Sequence, residues 1–423
     1  MTSVSRRPRR LRVCPECELV VGLPRLRPGE GAECPRCRHT LVRRVPDSVQ
    51  QVLAYASAAL LMLLFALPFT FASFEIQGVQ QQIAVAETAS MLFYDSELLL
   101  ALVVVLAILV FPALFLAGVS FIYMKIAFRE VNAWHRSLAR LVMRLHPWMM
   151  ADVFLIGVLV SMSKVASMAD IAFGPSFWAF CIFVGLLLKT VTSIDSDRLW
   201  FALAGEPSLP AHLQAGVNAG EQGITGCELC TFPIPAAGQD KCPRCGEHTR
   251  LPATATLERT WALLLTGAVL YVPAMVLPIM NTVSFGATTP QTIIGGILHL
   301  AETGSLPIAV IIFVASIVIP IAKLLALGWL CWVARRAQTL KPGIQIRLYR
   351  ITHFIGRWSM IDVFVVAILA ALIQAGVLMS VSPGPGILPF AAVVIITMIA
   401  AMQFDARLLW MAEKQSTATA EQG

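Results

Sequence analysis

The stretch HPWMMADVF at His146–Phe154 recurs as GRWSMIDVF at Gly356–Phe364, with tryptophan, methionine, aspartate, valine and phenylalanine in register 210 residues apart. A second pair keeps this separation: DSDRLW at Asp195–Trp200 is matched by DARLLW at Asp405–Trp410. Paired Cys-x-x-Cys motifs precede each copy. Self-similarity at a fixed distance marks an internal repeat, so the chain is predicted to be a tandem duplication of one unit.

The repeated unit has the composition of an integral membrane protein. Hydrophobic residues make up 57% of the chain and charged residues 13%, whereas about 25% of residues are charged in ordinary soluble domains. A helix needs about 20 apolar residues to cross the hydrocarbon core of a bilayer. The uncharged runs predict eight spans, near residues 51–71, 98–124, 149–168, 171–191, 260–280, 306–333, 358–379 and 387–404.

The basic residues predict the orientation of these spans. Of the 32 lysine and arginine residues, 29 fall in residues 1–50, 125–147, 195–259, 335–357 and 405–423, and none falls in the alternate connections. The positive-inside rule then puts both termini and both cysteine-rich segments in the cytoplasm. Four spans return the chain to its starting side, so we expect parallel repeats related by an axis along the membrane normal. The net charge of +7 follows from this topology, and no nucleic-acid partner is expected.

Eight of the ten cysteines form four Cys-x-x-Cys knuckles, namely Cys14, Cys17, Cys34 and Cys37 in the first copy and Cys227, Cys230, Cys242 and Cys245 in the second. Two knuckles turn four sulfurs toward one ion, which predicts a structural zinc site in each copy, with iron as the other metal considered. Disulfides or a thioredoxin-like redox pair are the competing interpretation, disfavoured by a reducing cytoplasm and the missing βαβ pattern. Such short segments lack a core, so we expect the metal to supply their folding energy.

The predicted fold class is therefore an all-α polytopic membrane protein with two tandem four-helix transmembrane modules, each preceded by a small cytoplasmic four-cysteine zinc ribbon. The predicted boundaries are 1–47 for the first ribbon, 48–205 for the first module, 206–225 for a linker, 226–252 for the second ribbon, 253–412 for the second module and 413–423 for a cytoplasmic tail.

Ionisable residues inside the predicted spans mark a candidate transport site. Each costs roughly 2.5 to 3.5 kcal/mol on insertion scales, so it should face the bundle interior and have a partner. Lys323 and Asp362 fall at pairing depth below tryptophans expected at the interface. Ser316 and Thr397 bring hydroxyl groups to a similar level. These four residues are the predicted polar cluster of the second module.

The first module lacks the full cluster. Asp152 repeats the aspartate, but Phe115 and Leu187 stand where the second module has its lysine and its threonine. The lysine of this module, Lys164, lies deep in the third predicted span instead. We therefore predict that the working site lies in the second module. The alternative is a buried ion pair that only orients helices, with the two aspartates acting as anchors at helix starts.

Two cytoplasmic four-cysteine ribbons, each ahead of four spans whose third begins with Trp-x-Met-x-Asp-Val-Phe, resemble the paraquat-inducible protein A family. The resemblance covers practically the whole chain and is most specific at residues 355–364. It implies an inner-membrane protein of Gram-negative bacteria with tetraspanin-like bundles. It also implies lipid traffic between the inner and outer membranes, together with a tunnel protein of MCE domains that spans the periplasm.

We expect an inner-membrane lipid transporter or a lipid-loading subunit, with membrane lipids as its substrate. Enzymatic chemistry is not expected, because the sequence contains no P-loop, no nucleophile elbow and no His-Glu-x-x-His motif. The alternatives are a non-transporting scaffold that anchors the tunnel and docks cytoplasmic factors, or a transporter of small solutes or ions.

The predicted topology can be tested by cysteine labelling. Gln81→Cys and Thr288→Cys should react with a membrane-impermeant thiol reagent added to the periplasmic side, because both positions lie in connections without basic residues. Ser208→Cys should react only after the membrane has been opened. Labelling of Ser208→Cys from the periplasmic side would contradict the arrangement of four plus four spans.

Overall fold

The computed structural model describes residues 10–76, 79–84, 98–165, 170–209, 212–236, 238–249, 253–284, 287–302, 306–336, 342–358, 360–361, 364–365, 374–375 and 379–410. Long apolar helices dominate this part of the chain. The helical segments long and apolar enough to cross a membrane are Ser48–Ala66, Leu102–Ala127, Ala133–Met162, Pro175–Ser193, Ala255–Val276 and Ala309–Arg335. The third of these is interrupted after Leu145 by a 3-10 turn at His146–Trp148. The expectation of a membrane protein is confirmed.

The first module contains helices α1 (Ser48–Ala66), α2 (Leu98–Val105), α3 (Phe111–Ala127), α4 (Ala133–Leu145), α5 (Ala151–Val165), α6 (Pro175–Ser193) and α7 (Ser196–Ala204). A π-helical turn, Leu106–Val110, joins α2 to α3. Helix α1 packs along α6 and α3, so the first and fourth spans are neighbours. Helix α4 is amphipathic and carries its arginines four residues apart, on one face.

The second module contains helices α8 (Ala253–Val276), α9 (Ile293–Glu302), α10 (Leu306–Phe313), α11 (Ile319–Arg336), α12 (Pro342–Trp358) and α13 (Ile387–Gln403). A second π-helical turn, Val314–Val318, joins α10 to α11. Helix α8 packs along α13, as α1 packs along α6. Helix α13 has 17 residues and is an apolar helix shorter than the six candidate spans. The predicted span 358–379 lies mostly outside the described residues, so the number of eight spans stays a prediction.

The expectation of an all-α fold is wrong at the module ends opposite the ribbons. In the first module, strands β5 (Thr70–Ile76), β6 (Val79–Ala84) and β7 (Asp170–Phe173) form an antiparallel sheet in the order β6-β5-β7. In the second, β10 (Met280–Ser284), β11 (Ala287–Gln291), β12 (Gln374–Ala375) and β13 (Met379–Pro383) form one in the order β11-β10-β13-β12. Predicted spans 51–71, 171–191 and 260–280 consequently run into strands, because hydropathy cannot separate a short apolar strand from the adjoining helix.

A glycine joins each sheet to its bundle, and the two glycines are 210 residues apart. A Cβ atom on Gly174 would lie 2.0 Å from the carbonyl oxygen of Thr70, and one on Gly384 would lie 2.3 Å from that of Pro278. Both approaches are closer than van der Waals contact allows. The backbone therefore requires glycine at this position in both modules.

The two modules meet at the motif that reveals the duplication. The rings of Phe154 and Phe364, which end the two copies, lie 5.8 Å apart between centroids and nearly perpendicular at 85°. Both side chains are buried. Equivalent residues of two repeats contact each other only near the axis that relates them, so this contact supports parallel repeats about a pseudo-two-fold axis.

The ribbons consist of short hairpins that present the knuckles in their turns. The first ribbon has β1 (Arg10–Val13) paired with β2 (Val20–Leu23) and β3 (Gly31–Glu33) paired with β4 (Thr40–Arg43). The second has β8 (Ile224–Gly226) paired with β9 (Pro233–Pro235), and a bridge between Lys241 and His248. A metal-ligand knuckle lies between the strands of each of these pairs.

The two ribbons also pair with each other. The amide of Val13 donates to the carbonyl of Thr231 at 2.9 Å, and the amide of Val20 donates to that of Val217 at 3.0 Å. Residue 217 belongs to the segment predicted as a linker, which also forms an isolated β-bridge to the first ribbon between Asn218 and Leu19. We call the paired ribbons the double ribbon.

Candidate metal centres, ribbon docking and the polar cluster

Each knuckle closes with the same backbone turn. The amide after the second cysteine donates to the carbonyl of the first at 2.8 to 3.0 Å, in the pairs Glu18–Cys14, Arg38–Cys34, Thr231–Cys227 and Gly246–Cys242. The four donor residues have φ between 56° and 75°, the left-handed region that non-glycine residues rarely adopt. Four repetitions of an unusual turn indicate that the sequence holds each cysteine pair in a defined orientation.

The sulfurs of each ribbon converge on one point. The Sγ–Sγ distances are 3.4 Å for Cys14–Cys37, 3.5 Å for Cys17–Cys34, 3.4 Å for Cys227–Cys245 and 3.6 Å for Cys230–Cys242. All eight cysteines are buried and none forms a disulfide. A tetrahedral site with metal–sulfur bonds of about 2.3 Å needs sulfurs about 3.8 Å apart, so both sets fit a four-thiolate metal ion.

The two predicted metal clusters are therefore confirmed as groups of residues that could hold a metal ion. Four thiols this close cannot all ionise without a cation among them, because the thiolates would repel one another. A metal bound here would have all its coordination positions filled by sulfur, leaving none for a substrate. Its contribution would be to the folding of the ribbon.

Two arginines at equivalent positions of the modules each contact the ribbon that precedes the other module. Arg140 of α4, in the first module, donates to the carbonyl of Gly246 in the second ribbon at 2.5 Å. Arg350 of α12, in the second module and 210 residues later, donates to the carbonyl of Cys37 in the first ribbon at 2.8 Å. In these contacts each ribbon meets the module that does not follow it in sequence. The double ribbon therefore ties the two modules together.

A buried carboxylate reinforces the contact between the first ribbon and the second module. Glu16 accepts a hydrogen bond from Arg350 Nε at 3.1 Å and lies 3.1 Å from His39 Nδ1. Burial opposes ionisation of this carboxyl, but His39 and Arg350 outweigh it and lower the pKa of Glu16 to about 2. The ion pair is therefore formed throughout the neutral range.

The carboxylate of Asp197 is where both ribbons meet the first module. Its Oδ1 accepts from Arg12 Nη2 of the first ribbon at 2.7 Å and from Arg244 Nη2 of the second at 2.9 Å. Both arginine side chains are 0% exposed. Glu206 accepts a further hydrogen bond from Arg12 at 2.6 Å. Burial alone would raise the pKa of Asp197, but the two guanidinium groups lower it below its ordinary value.

The second module docks the ribbons with the opposite charge. Arg407 holds the position in DARLLW that Asp197 holds in DSDRLW. Its Nη1 donates to Glu18 Oε1 of the first ribbon at 2.7 Å and to Thr225 Oγ1 at 3.0 Å. Asp405 accepts from its Nε at 2.8 Å. The two module ends therefore select different partners on the double ribbon.

Sequence reasoning recognised these two stretches as a repeat and missed their role. The signal that could have revealed it is the reversal of charge, aspartate at 197 against arginine at 407, within an otherwise matching motif. The arginines beside the knuckles, Arg12 and Arg244, gave the complementary signal.

The lysine of the predicted polar cluster lies inside the second module. Lys323 of α11 is 2% exposed, and its Nζ has no hydrogen-bond partner among the described residues. It lies 3.6 Å from where a Cβ on Gly356 of α12 would be, so the amino group faces the junction of these two helices. Ser316 is buried in the π-helical turn that precedes α11. Pro320 supplies no amide for the carbonyl of Ser316.

Of the other predicted members of the polar cluster, Thr397 and Asp152 have described side chains, and Asp362 and Lys164 do not. Thr397 of α13 is buried, but its hydroxyl donates to the carbonyl of Val393 in its own helix at 2.8 Å. Asp362 lies outside the described residues, and so does the side chain of Lys164 in α5. Asp152 is half-buried in the first turn of α5. The pairing predicted for this cluster therefore stays a prediction.

Comparison with known proteins gives one consistent result. The profile of the family described as Paraquat-inducible protein A matches residues 49–204 and 257–413. The intermembrane transport protein PqiA of Escherichia coli K12 is 39% identical over 408 residues, 96% of each chain. The probable intermembrane transport protein of Haemophilus influenzae is 28% identical over 97% of this chain and 98% of its own. The lipophilic envelope-spanning tunnel protein A of Escherichia coli K12 is 27% identical over 96% of this chain and 92% of its own. No solved structure was found to match the chain.

Metal content should follow the cysteines of each ribbon separately. Cys34→Ser and Cys242→Ser each remove one sulfur from one cluster, so each purified variant should carry about one metal ion where the parent carries about two. Elemental analysis of the protein in detergent measures this ratio. Cys181→Ser, in a membrane helix and outside both clusters, is the control that should keep the full content. A folded parent chain without metal would refute the structural role.

Asp197→Asn should destabilise the junction of the double ribbon with the first module. Removing one partner of a buried ion pair typically costs about 3 to 5 kcal/mol, because the remaining charges stay buried. The folded pKa is depressed, so the carboxylate stabilises above the unfolded pKa of about 3.9, and this contribution disappears as the pH falls through the folded pKa.

Thermal unfolding in detergent checks both effects. At pH 7 the midpoint of Asp197→Asn should fall below that of the parent chain, and the difference should narrow in acid. Asp240→Asn is the matched control, since Asp240 is an exposed aspartate of the second ribbon. Equal midpoints for the two variants at pH 7 would show that the Asp197 contacts do not stabilise the fold.

Proposed function

Because the chain belongs to the paraquat-inducible protein A family, we propose that it is an inner-membrane lipid transporter or lipid-loading subunit that moves lipids between the inner and outer membranes. The names of the relatives support the transport class, since two are called intermembrane transport proteins and one an envelope-spanning tunnel protein. The proposed partner is a periplasm-spanning tunnel protein of MCE domains, which would receive or deliver the lipid. In this proposal the chain is not an enzyme.

The proposal places eight spans in the inner membrane, with both termini and the double ribbon in the cytoplasm. The distribution of 29 basic residues supports this orientation. Both ribbons lie at the same end of the two modules, as parallel repeats require. The small sheets would then face the periplasm, on the side of the proposed tunnel partner.

Zinc is the metal proposed for both ribbons. Four thiolates in tetrahedral arrangement are typical of structural zinc, which has no redox chemistry of its own. The bound ion would hold the knuckles in the geometry that lets Arg350 and Arg140 reach their backbone carbonyls. Its role in transport is therefore proposed to be indirect, through the position of the double ribbon.

The observation that carries the proposal is the buried lysine of the second module. A charged amino group within a membrane span is costly and is generally tied to a substrate or ion pathway. Lys323 is 2% exposed and follows, in the same continuous helix, a π-helical turn that contains the buried Ser316. Because the first module has the equivalent turn Leu106–Val110, the lysine and not the turn distinguishes the second module. We propose that Lys323 and Asp362, with Ser316 and Thr397, form the polar site at which charge changes during lipid handover.

The difference between the modules favours a working site over a purely architectural one. At the aligned positions of the first module, Phe115 is 0% exposed and Leu187 is 4% exposed, so that module packs around apolar side chains there. An ion pair needed only to build a four-helix module should be needed in both. Of the lysine, aspartate and threonine of this cluster, the first module has only the aspartate, Asp152, at the equivalent position.

Two other functions remain as alternatives. A scaffold that anchors the tunnel would need the double ribbon and the sheets but not the lysine. A transporter of small solutes or ions would use the same polar cluster for a different cargo. Mass spectrometry of co-purified molecules separates the lipid transporter from the solute transporter, because only the former should retain phospholipid in the module.

Replacing the charged pair by apolar residues should abolish transport and spare folding. Lys323→Met combined with Asp362→Leu removes both charges, and apolar replacement of a buried pair is often neutral or stabilising. The double variant should insert, keep its metal and bind its partner, yet lose lipid transfer between donor and acceptor membranes by at least about tenfold, the effect of about 1.4 kcal/mol on a rate.

The matched control is Lys189→Met, which removes an exposed lysine from α6 of the first module. This control should transfer lipid at the parental rate. Parental transfer by the folded double variant would instead return the pair to an architectural role and favour the scaffold.

A further inference from the structure

A basic cavity of about 450 Å³ opens where the first ribbon meets helix α7. Its charged lining residues are Arg10, Arg44, Asp47 and Arg198, three positive and one negative. We call it the arginine cavity. It is separate from the polar cluster, which lies inside the second module.

The arginine cavity lies beside the ends of two candidate membrane spans. Asp47 directly precedes α1, and Arg198 lies in α7, shortly after α6 ends at Ser193. Both α1 and α6 are candidate membrane spans. Residues that flank the same ends of two spans lie at the depth of lipid headgroups, whichever leaflet that is.

The three arginines differ in the ion pairs that their guanidinium groups form. Arg44 Nη1 lies 3.1 Å from Asp195 Oδ2, a salt bridge that holds the ribbon to the module. Arg10 Nη1 lies 3.4 Å from Asp197, whose carboxylate already accepts from two closer arginines. Arg198 is exposed and forms no ion pair within the part of the chain that the structure describes. A guanidinium carries five N–H donors, so Arg198 has its donors available to a ligand.

The cavity also has an apolar wall. Phe201 of α7 is 42% exposed, and the guanidinium of Arg10 lies 4.7 Å above its ring centroid. Leu26 and Val45 of the first ribbon line the cavity as well. A cavity with guanidinium groups beside exposed apolar surface suits an amphiphile that carries an anion next to its apolar part.

The equivalent position of the second module shows that Arg198 is not needed to build a module. Leu408 stands where the first module has Arg198, and that module docks the double ribbon through Arg407. Architecture alone therefore does not account for the free guanidinium of the first module.

We propose that the arginine cavity binds a phosphate-bearing anion, and that this anion is the headgroup of an acidic phospholipid of the surrounding leaflet. Arg198 holds the phosphate in two parallel hydrogen bonds, while Arg10, which shares the Asp197 carboxylate with two other arginines, contributes charge. The apolar wall contacts the part of the lipid next to the headgroup. This binding is independent of the proposed transport function and is measured without any transfer of lipid.

The test uses the full chain in non-ionic detergent and compares Arg198→Gln with the parent. Native mass spectrometry measures binding of dioctanoyl phosphatidylglycerol, with dioctanoyl phosphatidylcholine as the neutral-headgroup arm and inorganic phosphate as the soluble competitor. The matched control is Arg335→Gln, an exposed arginine at the end of α11 in the second module. Thermal unfolding of each variant verifies folding. Arg198→Lys keeps the charge but not the two-pronged geometry.

We expect Arg198→Gln to raise the Kd for phosphatidylglycerol at least about fivefold, the effect of roughly one basic residue at a membrane surface. Arg335→Gln should leave it unchanged, Arg198→Lys should be intermediate, and phosphatidylcholine should bind more weakly to the parent. An unchanged Kd in Arg198→Gln, or equal losses in Arg198→Gln and Arg335→Gln, would overturn the site. Inorganic phosphate that binds as tightly as the lipid would overturn the headgroup as the source of the anion.

Discussion

One buried carboxylate, that of Asp197, holds three separate parts of the chain together. It lies just beyond the last span of the first module and accepts hydrogen bonds from an arginine of each ribbon. Neither arginine side chain is exposed to solvent, so both depend on this carboxylate and on Glu206 for their neutralisation. Ribbons of this size cannot bury enough apolar surface to fold alone. Their folding therefore depends on the metal ligands inside each ribbon, and their position depends on charged contacts with the modules.

The crossed contacts make the double ribbon more than an appendage of each module. Arg140 and Arg350 occupy equivalent places in the two modules, and each donates to a backbone carbonyl at the second knuckle of the ribbon that precedes the other module. The phenylalanines of the repeated motif meet between the modules within the bundle. The two halves are thus joined at the level of the spans and again at the level of the ribbons.

The positions at which the two repeats differ show how the modules differ in chemistry. The position held by Asp197 in the first module is held by Arg407 in the second. This reversal of charge lets two otherwise similar module ends bind different surfaces of the double ribbon. Lys323 takes the place of the buried Phe115, so an apolar core position of the first module holds a buried lysine in the second. Arg198 takes the place of Leu408, which puts an exposed guanidinium, without an ion pair among the described residues, at the surface of the first module. The modules therefore share an architecture and differ in chemistry, as expected when one copy of a duplicated unit specialises.

The sequence alone determined the membrane class, the duplication and the cysteine clusters, because hydropathy, a fixed separation and ligand spacing are properties of the chain itself. It also indicated that the second module carries the buried lysine. It did not reveal the small sheets, because a few apolar strand residues after a span look like its continuation. Only the tertiary structure showed the crossed docking, the role of Asp197 and the arginine cavity. These features join residues up to 389 positions apart in the chain, and long-range pairings of charge depend on how helices and ribbons pack, which local sequence patterns do not encode.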